Sequence, residues 1–213
     1  GQDDPMTPRY PTLQTADHDP DGPLLGRLRS GDEQAFVTLV QRYRPSMLRI
    51  ASGYVPSQAV AEEVVQDAWV GFLRGLSRFE GRSSVRTWLF RILVNRARSA
   101  GVRERRTLAV SDLTVTVDSA RFDATGHWLV PPEPWSDLVD DRIAAQRMAG
   151  LVRTAIADLP ARQREVVTLR DIEGLSSEEV CGVLEITDAN LRVLLHRGRS
   201  RVRQLLESEF GRA

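Results

Sequence analysis

The sequence predicts an all-α protein with two helical domains joined by an extended linker. Apolar residues recur at spacings of three and four over residues 24–106 and again over 142–213, which is the period of helices packed on one side. Between these blocks, residues 107–141 contain three prolines and no helical period, as is typical of an extended connector. Residues 1–23 are rich in Pro and Asp and poor in apolar side chains, so we predict a disordered tail there.

Bulk composition excludes several classes of protein. A chain of 213 residues can bury two compact cores, and its hydrophobic content of 41% is ordinary for a globular protein. No apolar run approaches the roughly 18 residues that a membrane-spanning helix needs, so we expect no membrane insertion. Cys181 is the single cysteine, so an intrachain disulfide is impossible and the cytoplasm is the natural compartment.

The formal net charge is zero, but the charges are unevenly distributed along the chain. Residues 24–106 carry fifteen Arg against seven acids, and residues 142–213 carry twelve Arg against ten acids. The connector 107–141 carries one Arg against seven acids. Two basic blocks on either side of an acidic connector are compatible with nucleic-acid binding, although the average charge hides this.

The first block predicts four helices, each with an apolar packing side. The helical period over residues 24–51 breaks at Gly31-Asp32, and Asp32 is suited to cap a second helix. A third helix is predicted over about 57–76. Its polar face is acidic, and the residues alone leave a solvated surface and a docking surface equally open. That face comprises Glu62, Glu63, Gln66 and Asp67.

The fourth helix, predicted over about 84–105 with Ser83 or Ser84 as its cap, belongs to the most informative segment of the chain. From residue 79 to 106 the sequence reads FEGRSSVRTWLFRILVNRARSAGVRERR, with eight arginines and one acid from position 82 onward. Arginines interleaved with Trp88 and Phe90 are suited to holding phosphates and touching bases. A solvated basic helix remains the alternative from this segment alone.

The C-terminal block predicts a helix-turn-helix. Amphipathic patterns over 143–159 and 161–171 are separated by a proline. Ser176 and Glu179 then form a capping box at the start of a short helix. Residues 185–187 link this helix to a longer helix that carries arginines.

A helical projection divides the longer helix into two sides. One side is apolar and comprises Leu191, Leu195, Gly198, Val202 and Leu205. The other side comprises Ala189, Arg192, Val193, His196, Ser200 and Arg203, flanked by Asn190 and Arg197. Such a face can read bases, since Arg binds guanine, Asn binds adenine and small apolar groups touch the thymine methyl. An αα-hairpin with a basic solvent face is the alternative.

The two blocks together resemble the extracytoplasmic-function (ECF) group of sigma factors, in the sigma-70 family of bacterial RNA polymerase. The phrase TWLFRILVN followed by RERR is similar to sigma region 2, and LPARQREVVTLRDIEGLSSEEV with LRVLLHRGRSRVRQLL is similar to sigma region 4. The resemblance covers about residues 24–106 and 142–208. It implies a non-catalytic initiation factor without cofactor or metal. Such a factor binds core RNA polymerase, recognises the minus-ten and minus-thirty-five promoter elements and promotes promoter opening.

The resemblance also implies partners and residue roles. Contacts to the clamp helices of the largest polymerase subunit would be made by Glu63, Gln66, Asp67 and Trp69, and a further contact would be made to the flap of the second-largest subunit. Minus-ten DNA would be bound by Phe79, Arg82, Ser83, Arg86, Trp88, Asn95, Arg96 and Arg103. Minus-thirty-five DNA would be bound by Asn190, Arg192, Val193, His196 and Arg197. The family also implies an anti-sigma factor as regulator.

The same residues allow two alternatives from other classes of protein. A free-standing regulator would bind duplex DNA through the helix-turn-helix and a partner through the N-terminal block, but it would not need the segment 79–106. A nuclease is poorly supported, because no metal-ligand cluster accompanies Glu62, Glu63 and Asp67. The family often has Gly where this chain has Glu185, which leaves the backbone of that turn open.

Overall fold

The computed structural model describes residues 19–112 and 139–210, and the regular secondary structure in these ranges is entirely helical. The predicted all-α class is therefore confirmed. No helix in these ranges is both long and apolar enough to cross a membrane. The helices are α1 (Gly22–Arg29), α2 (Glu33–Ser52), α3 (Gln58–Gly75), α4 (Val85–Asp112), α5 (Val139–Ala157), α6 (Ala161–Val167), α7 (Ser177–Leu184) and α8 (Asp188–Phe210). A 3₁₀ turn follows α3 at Leu76–Arg78, and a π-helical turn follows α6 at Thr168–Ile172.

Helices α1 to α4 form an N-terminal unit, and side-chain caps fix where its helices begin. The Asp32 carboxylate accepts from the Gln34 N–H at 3.0 Å, which confirms Asp32 as the cap of α2. Ser57 accepts from the Val60 N–H at 3.3 Å at the start of α3. The apolar stripes meet in a core whose fully buried large side chains are Leu39, Met47, Phe72, Leu89, Phe90 and Leu93.

Helices α5 to α8 form a C-terminal unit, in which α7 and α8 make the predicted helix-turn-helix. The Ser176 Oγ accepts from the Glu179 N–H at 3.1 Å, and Glu179 Oε2 accepts from the Ser176 N–H at 2.8 Å. The predicted capping box is thus confirmed. Gly198 lets α8 lie close to α6, because a Cβ at this position would be 2.8 Å from a Val167 methyl carbon.

The turn between α7 and α8 contains a left-handed residue. Glu185 has φ 56° and ψ 47°, a region that glycine adopts more readily because it has no Cβ. The turn therefore has the left-handed geometry that glycine normally supplies, although the residue is glutamate. The Glu185 carboxylate is 3.2 Å from the Arg91 guanidinium of the N-terminal unit.

Two segment boundaries differ from those predicted. The folded unit begins before residue 24, because Asp21 is fully buried and its carboxylate accepts from Arg42 and Tyr43. Helix α4 continues to Asp112, and residues 107–112 contain neither Pro nor Gly to interrupt it. Helix α5 begins at Val139 rather than at 142. The remainder of the predicted tail (1–18) and of the predicted linker (113–138) lies outside the described residues.

The two units pack against each other, with α4 lying along α7. The helices approach closely at Gly182, where a Cβ would be 3.0 Å from Thr87 Cγ2. Four ion pairs between described residues cross the interface, and in each the arginine belongs to the N-terminal unit and the glutamate to the C-terminal unit. The pairs are Arg49–Glu173, Arg86–Glu179, Arg91–Glu185 and Arg98–Glu165.

Candidate nucleic-acid interface

An aromatic stack lies at the start of α4. The rings of Trp88 and Phe79 are nearly parallel, with centroids 4.4 Å apart and an interplanar angle of 21°. Trp88 also contacts Phe72 at a centroid distance of 4.8 Å. Gly75 makes room for the indole, because a Cβ at this position would be 2.8 Å from Trp88 Cζ2. Trp88 therefore holds Phe79 in place at the entrance to the loop that precedes α4.

The loop 79–84 turns at Gly81, whose φ of +72° lies in the left-handed region that favours glycine. Arg82 is exposed and pairs with Glu80 beside it, and Ser83 is half-buried. Ser84 is the cap of α4, because its Oγ accepts from the Thr87 N–H at 3.1 Å. The loop thus carries an exposed arginine three residues after Phe79.

An open groove of about 490 Å³ runs between α3 and α4. The groove is lined by three exposed residues of α4 that are predicted to bind DNA, namely Asn95, Arg96 and Arg103. Glu63 and Asp67 of α3 line it as well. Nη2 of Arg103 is 3.9 Å from the Glu63 carboxylate. The groove therefore brings residues predicted to bind minus-ten DNA next to residues predicted to contact core polymerase.

The four residues predicted to contact core polymerase differ in exposure. Glu63, Gln66 and Asp67 are exposed on α3, whereas Trp69 is only 7% exposed. The Trp69 ring makes edge contacts with Phe36 at 5.4 Å and with Phe72 at 5.6 Å between centroids. Trp69 thus supports this face of α3 from inside, while the three polar residues can touch a partner directly.

Arg86 is engaged across the interface between the two units. Its Nε and Nη2 donate to the two carboxylate oxygens of Glu179 at 3.1 and 2.6 Å. Arginine uses this bidentate geometry for phosphate as well. Burial opposes ionisation of Glu179, but the hydrogen bonds from Arg86 and from the Ser176 N–H hold its pKa below the usual value. The pair is therefore charged at neutral pH.

The exposed side of α8 matches the helical projection. Leu191 and Leu195 are buried against the C-terminal unit, whereas the Arg192 side chain is 79% exposed and Val193 is 48% exposed. The other residues predicted to bind minus-thirty-five DNA are also exposed, namely Asn190, His196 and Arg197. Arg192 forms an ion pair at 2.6 Å with Asp188, one turn earlier in the helix.

Sequence reasoning missed the residues that hold the loop 79–84 from α1 and the turn before it. The Val85 N–H donates to Asp19 Oδ2 at 2.7 Å, and Arg29 donates to the carbonyl oxygens of Leu76 and Phe79. Asp19 lies in the segment that the composition marked as a tail. The only sequence signal was the arrival of aspartates directly before a helical period, which also suits a simple cap.

The fold and the site define a helical protein with a helix-turn-helix unit and a second, basic and aromatic unit. Two family models match the chain in this order: Sigma-70 region 2 over residues 39–107 and Sigma-70, region 4 over residues 149–202. The ECF RNA polymerase sigma-E factor of Escherichia coli strain K12 is 31% identical over 179 residues, which cover 84% of this chain and 90% of the relative. The RNA polymerase sigma-H factor of Pseudomonas aeruginosa is 32% identical over 188 residues, covering 88% and 94%. The chain belongs to the ECF family of RNA polymerase sigma factors.

Solved structures agree with this assignment at the level of the fold. CnrH in complex with the cytosolic domain of CnrY matches with a TM-score of 0.60 and 23% identity, over 88% of this chain and 97% of that chain. The sigma factor RpoE in complex with the anti-sigma factor NepR from Bartonella quintana matches with a TM-score of 0.57 and 24% identity, over 81% and 96%.

Family membership gives the protein its function. As an ECF sigma factor it acts in core RNA polymerase binding and promoter recognition, in which sigma regions 2 and 4 are involved. Sigma factors are initiation factors rather than catalysts. The free-standing regulator and the nuclease lose their support, because both sigma regions are present in the family's order.

Proposed function

We propose that loop 79–84 and α4 bind the minus-ten element, with the loop holding a base flipped from the non-template strand. The observation that supports this is the stacking of Phe79 on Trp88 at the entrance of a loop that also carries the exposed Arg82. Capture of an unstacked base requires an aromatic or apolar surface with a few polar groups. Along α4, Asn95, Arg96 and Arg103 then follow the melted strand.

Holoenzyme assembled from this protein and core polymerase tests the proposal on a promoter fragment whose minus-ten bases are probed for single-stranded reactivity. We expect the wild-type holoenzyme to make these bases reactive and to protect one of them inside the loop. Asn95→Ala and Arg82→Ala are expected to reduce opening while binding to core remains. Unchanged opening by both variants would contradict the assignment of this surface.

The exposed acids on α3 form the proposed contact with the clamp helices of the largest polymerase subunit. Asp67→Arg reverses one of these charges, so we expect affinity for core polymerase to fall about tenfold, as for loss of a close charge pair at an interface. Binding to isolated minus-thirty-five duplex is expected to stay unchanged. Asp158→Arg makes the same change of charge at an exposed position of the C-terminal unit, and equal effects of the two variants on core affinity would remove this role for Asp67.

The proposed contact with the flap of the second-largest subunit is assigned to an apolar groove of the C-terminal unit. Ile172, in the π-helical turn, is 48% exposed at its edge. The groove is also lined by Val152, Ile156, Val202 and Leu206.

An anti-sigma factor is the proposed regulator, because CnrH and Bartonella quintana RpoE were both solved as complexes, the latter with an anti-sigma factor. We place this activity in the cytoplasm, where RNA polymerase works.

The exposed face of α8 is the proposed reader of the minus-thirty-five element. Arg192→Ala is expected to weaken binding to a matching duplex by about 1–3 kcal/mol, with core affinity unchanged, because a bidentate contact to guanine is lost. Arg192→Lys separates base reading from charge, since lysine keeps the charge and lacks the planar fork. Full activity of Arg192→Lys on every promoter would make Arg192 a phosphate anchor instead.

Arg86 connects this proposal to the arrangement of the two units. The guanidinium that would bind minus-ten DNA is occupied by Glu179. Contact between Arg86 and the promoter therefore requires α4 and α7 to separate at this point.

A further inference from the structure

Residues 19–29, which comprise α1 and the turn before it, are bonded to both ends of the loop 79–84. At the entrance, Arg29 donates to the carbonyl oxygen of Leu76 from Nε at 3.3 Å and from Nη2 at 3.1 Å, and to that of Phe79 from Nη2. At the exit, the Val85 N–H donates to Asp19 Oδ2 at 2.7 Å. Residues 19–29 thus hold both ends of the loop 79–84 in place.

The carboxylate of Asp19 is itself held in a fixed orientation. Its Oδ1 accepts from the Asp21 N–H at 3.1 Å, so each of its oxygens has a backbone donor. The main-chain carbonyl of Asp19 accepts from the Gly22 N–H at 3.0 Å, which closes the turn into α1. A charged acceptor at the first N–H of α4 also suits the positive end of the helix dipole.

Asp21 anchors this segment to α2. Its side chain is fully buried, and its two carboxylate oxygens accept from Arg42 Nη1 and from the Tyr43 hydroxyl. A buried carboxylate is stable only when it is paired and hydrogen-bonded, so these contacts hold the segment firmly. The Tyr43 ring also contacts α4, where it packs edge-to-face with the Phe90 ring at a centroid distance of 5.8 Å.

We infer that residues 19–29 are a positioning element for minus-ten recognition, in which Arg29 fixes the entrance of the loop and Asp19 fixes its exit. The inference rests on the proposed function of the loop. Asp19 and Arg29 act through the backbone of Phe79 and Val85 and do not contact DNA. A loop held at both ends loses less conformational entropy when it closes on a base. The affinity and selectivity of the loop for that base therefore depend on the contacts made by Asp19 and Arg29.

Holoenzymes that carry Asp19→Ala, Asp19→Asn, Arg29→Ala or Arg29→Lys test the inference with a single-stranded minus-ten oligonucleotide. We expect Asp19→Ala and Arg29→Ala to lower affinity for the matching strand about tenfold, and affinity for a scrambled strand much less. Asp19→Asn keeps one acceptor oxygen, so about threefold loss is expected. Arg29→Lys is expected to recover little, because an ammonium group lacks the fork that spans two carbonyls.

Ser57→Ala is the matched control, since Ser57 caps α3 through the Val60 N–H and has no contact with residues 19–29 or with the loop in the described part of the chain. Thermal unfolding, core affinity and minus-thirty-five duplex affinity are measured for every variant. A positioning role leaves core and duplex affinities unchanged while selectivity for the matching strand falls. A loss for Asp19→Ala no larger than that for Ser57→Ala, or an equal loss on matching and scrambled strands, overturns the inference.

Phe79→Ala distinguishes failure of this inference from failure of the proposed function. If Phe79→Ala lowers matching-strand affinity and Asp19→Ala does not, the loop binds the base without help from residues 19–29, and the inference alone fails. If Phe79→Ala has no effect either, the loop is not the base-binding element, and the proposed function fails with it.

Discussion

Trp88→Ala is expected to abolish productive binding of the minus-ten strand and to lower the free energy of unfolding by about 2–4 kcal/mol. The half-buried indole contacts Phe72 and Phe79, and its removal leaves a gap beside Gly75. Phe79 then loses the ring that holds it, so the loop 79–84 no longer presents a fixed surface to a base. Affinity for a matching single strand measures the loss of binding, and urea unfolding measures the loss of stability.

Leu89→Ala is the matched control for this prediction. Leu89 is the next residue, is fully buried and makes none of the ring contacts of the stack. Its truncation is expected to cost about 2–5 kcal/mol of stability. At a temperature where both variants are folded, only Trp88→Ala is expected to lose strand affinity. Equal affinity losses would show that Trp88 acts through stability alone.

Helices and their caps could be predicted from the sequence because each depends on residues within a turn or two. Asp32 and Gln34, or Ser176 and Glu179, are close along the chain, so composition and spacing are sufficient. The exposed face of α8 was predictable for the same reason, since the helical period alone decides which residues face outward. The roles of these residues came from the family resemblance.

Contacts between distant residues could not be predicted in this way. Asp19 and Val85 are 66 positions apart, and Arg86 and Glu179 are 93 positions apart. Neither pair produces a periodic pattern in the sequence, because a single carboxylate and a single donor are sufficient for each contact. Trp69 shows the reverse case, since it lies four residues after Val65 and three before Phe72, a helical apolar spacing that indicates burial, and all three are buried.

Glu179→Gln is expected to weaken the packing of the two units and to raise the affinity of the protein alone for the matching minus-ten strand about 5- to 10-fold. Glutamine can keep the capping box with Ser176, because its amide oxygen accepts the same backbone hydrogen bond. What it removes is the charge that pairs with Arg86. Arg86 is then free to meet a phosphate or a base.

The pH dependence of this effect follows from the lowered pKa of Glu179. Because the folded-state pKa lies below the ordinary value of 4.5, the stabilisation from the pair is fully present above that value. It is lost only as the pH falls through the folded-state pKa. Affinity of the wild-type protein alone is therefore expected to be insensitive to pH around neutrality, whereas added salt weakens the partly exposed pair.

Glu178→Gln is the matched control, because it makes the same change of charge at the exposed neighbouring residue. We expect it to alter strand affinity less than about twofold, as for a surface charge without a close partner. Small-angle X-ray scattering is expected to show a larger radius of gyration for Glu179→Gln and for Arg86→Gln. Only Glu179→Gln gains strand affinity, since Arg86→Gln opens the interface and loses the DNA contact together. Equal gains from Glu178→Gln and Glu179→Gln would assign the effect to net charge and leave the pair without a role in closing the protein.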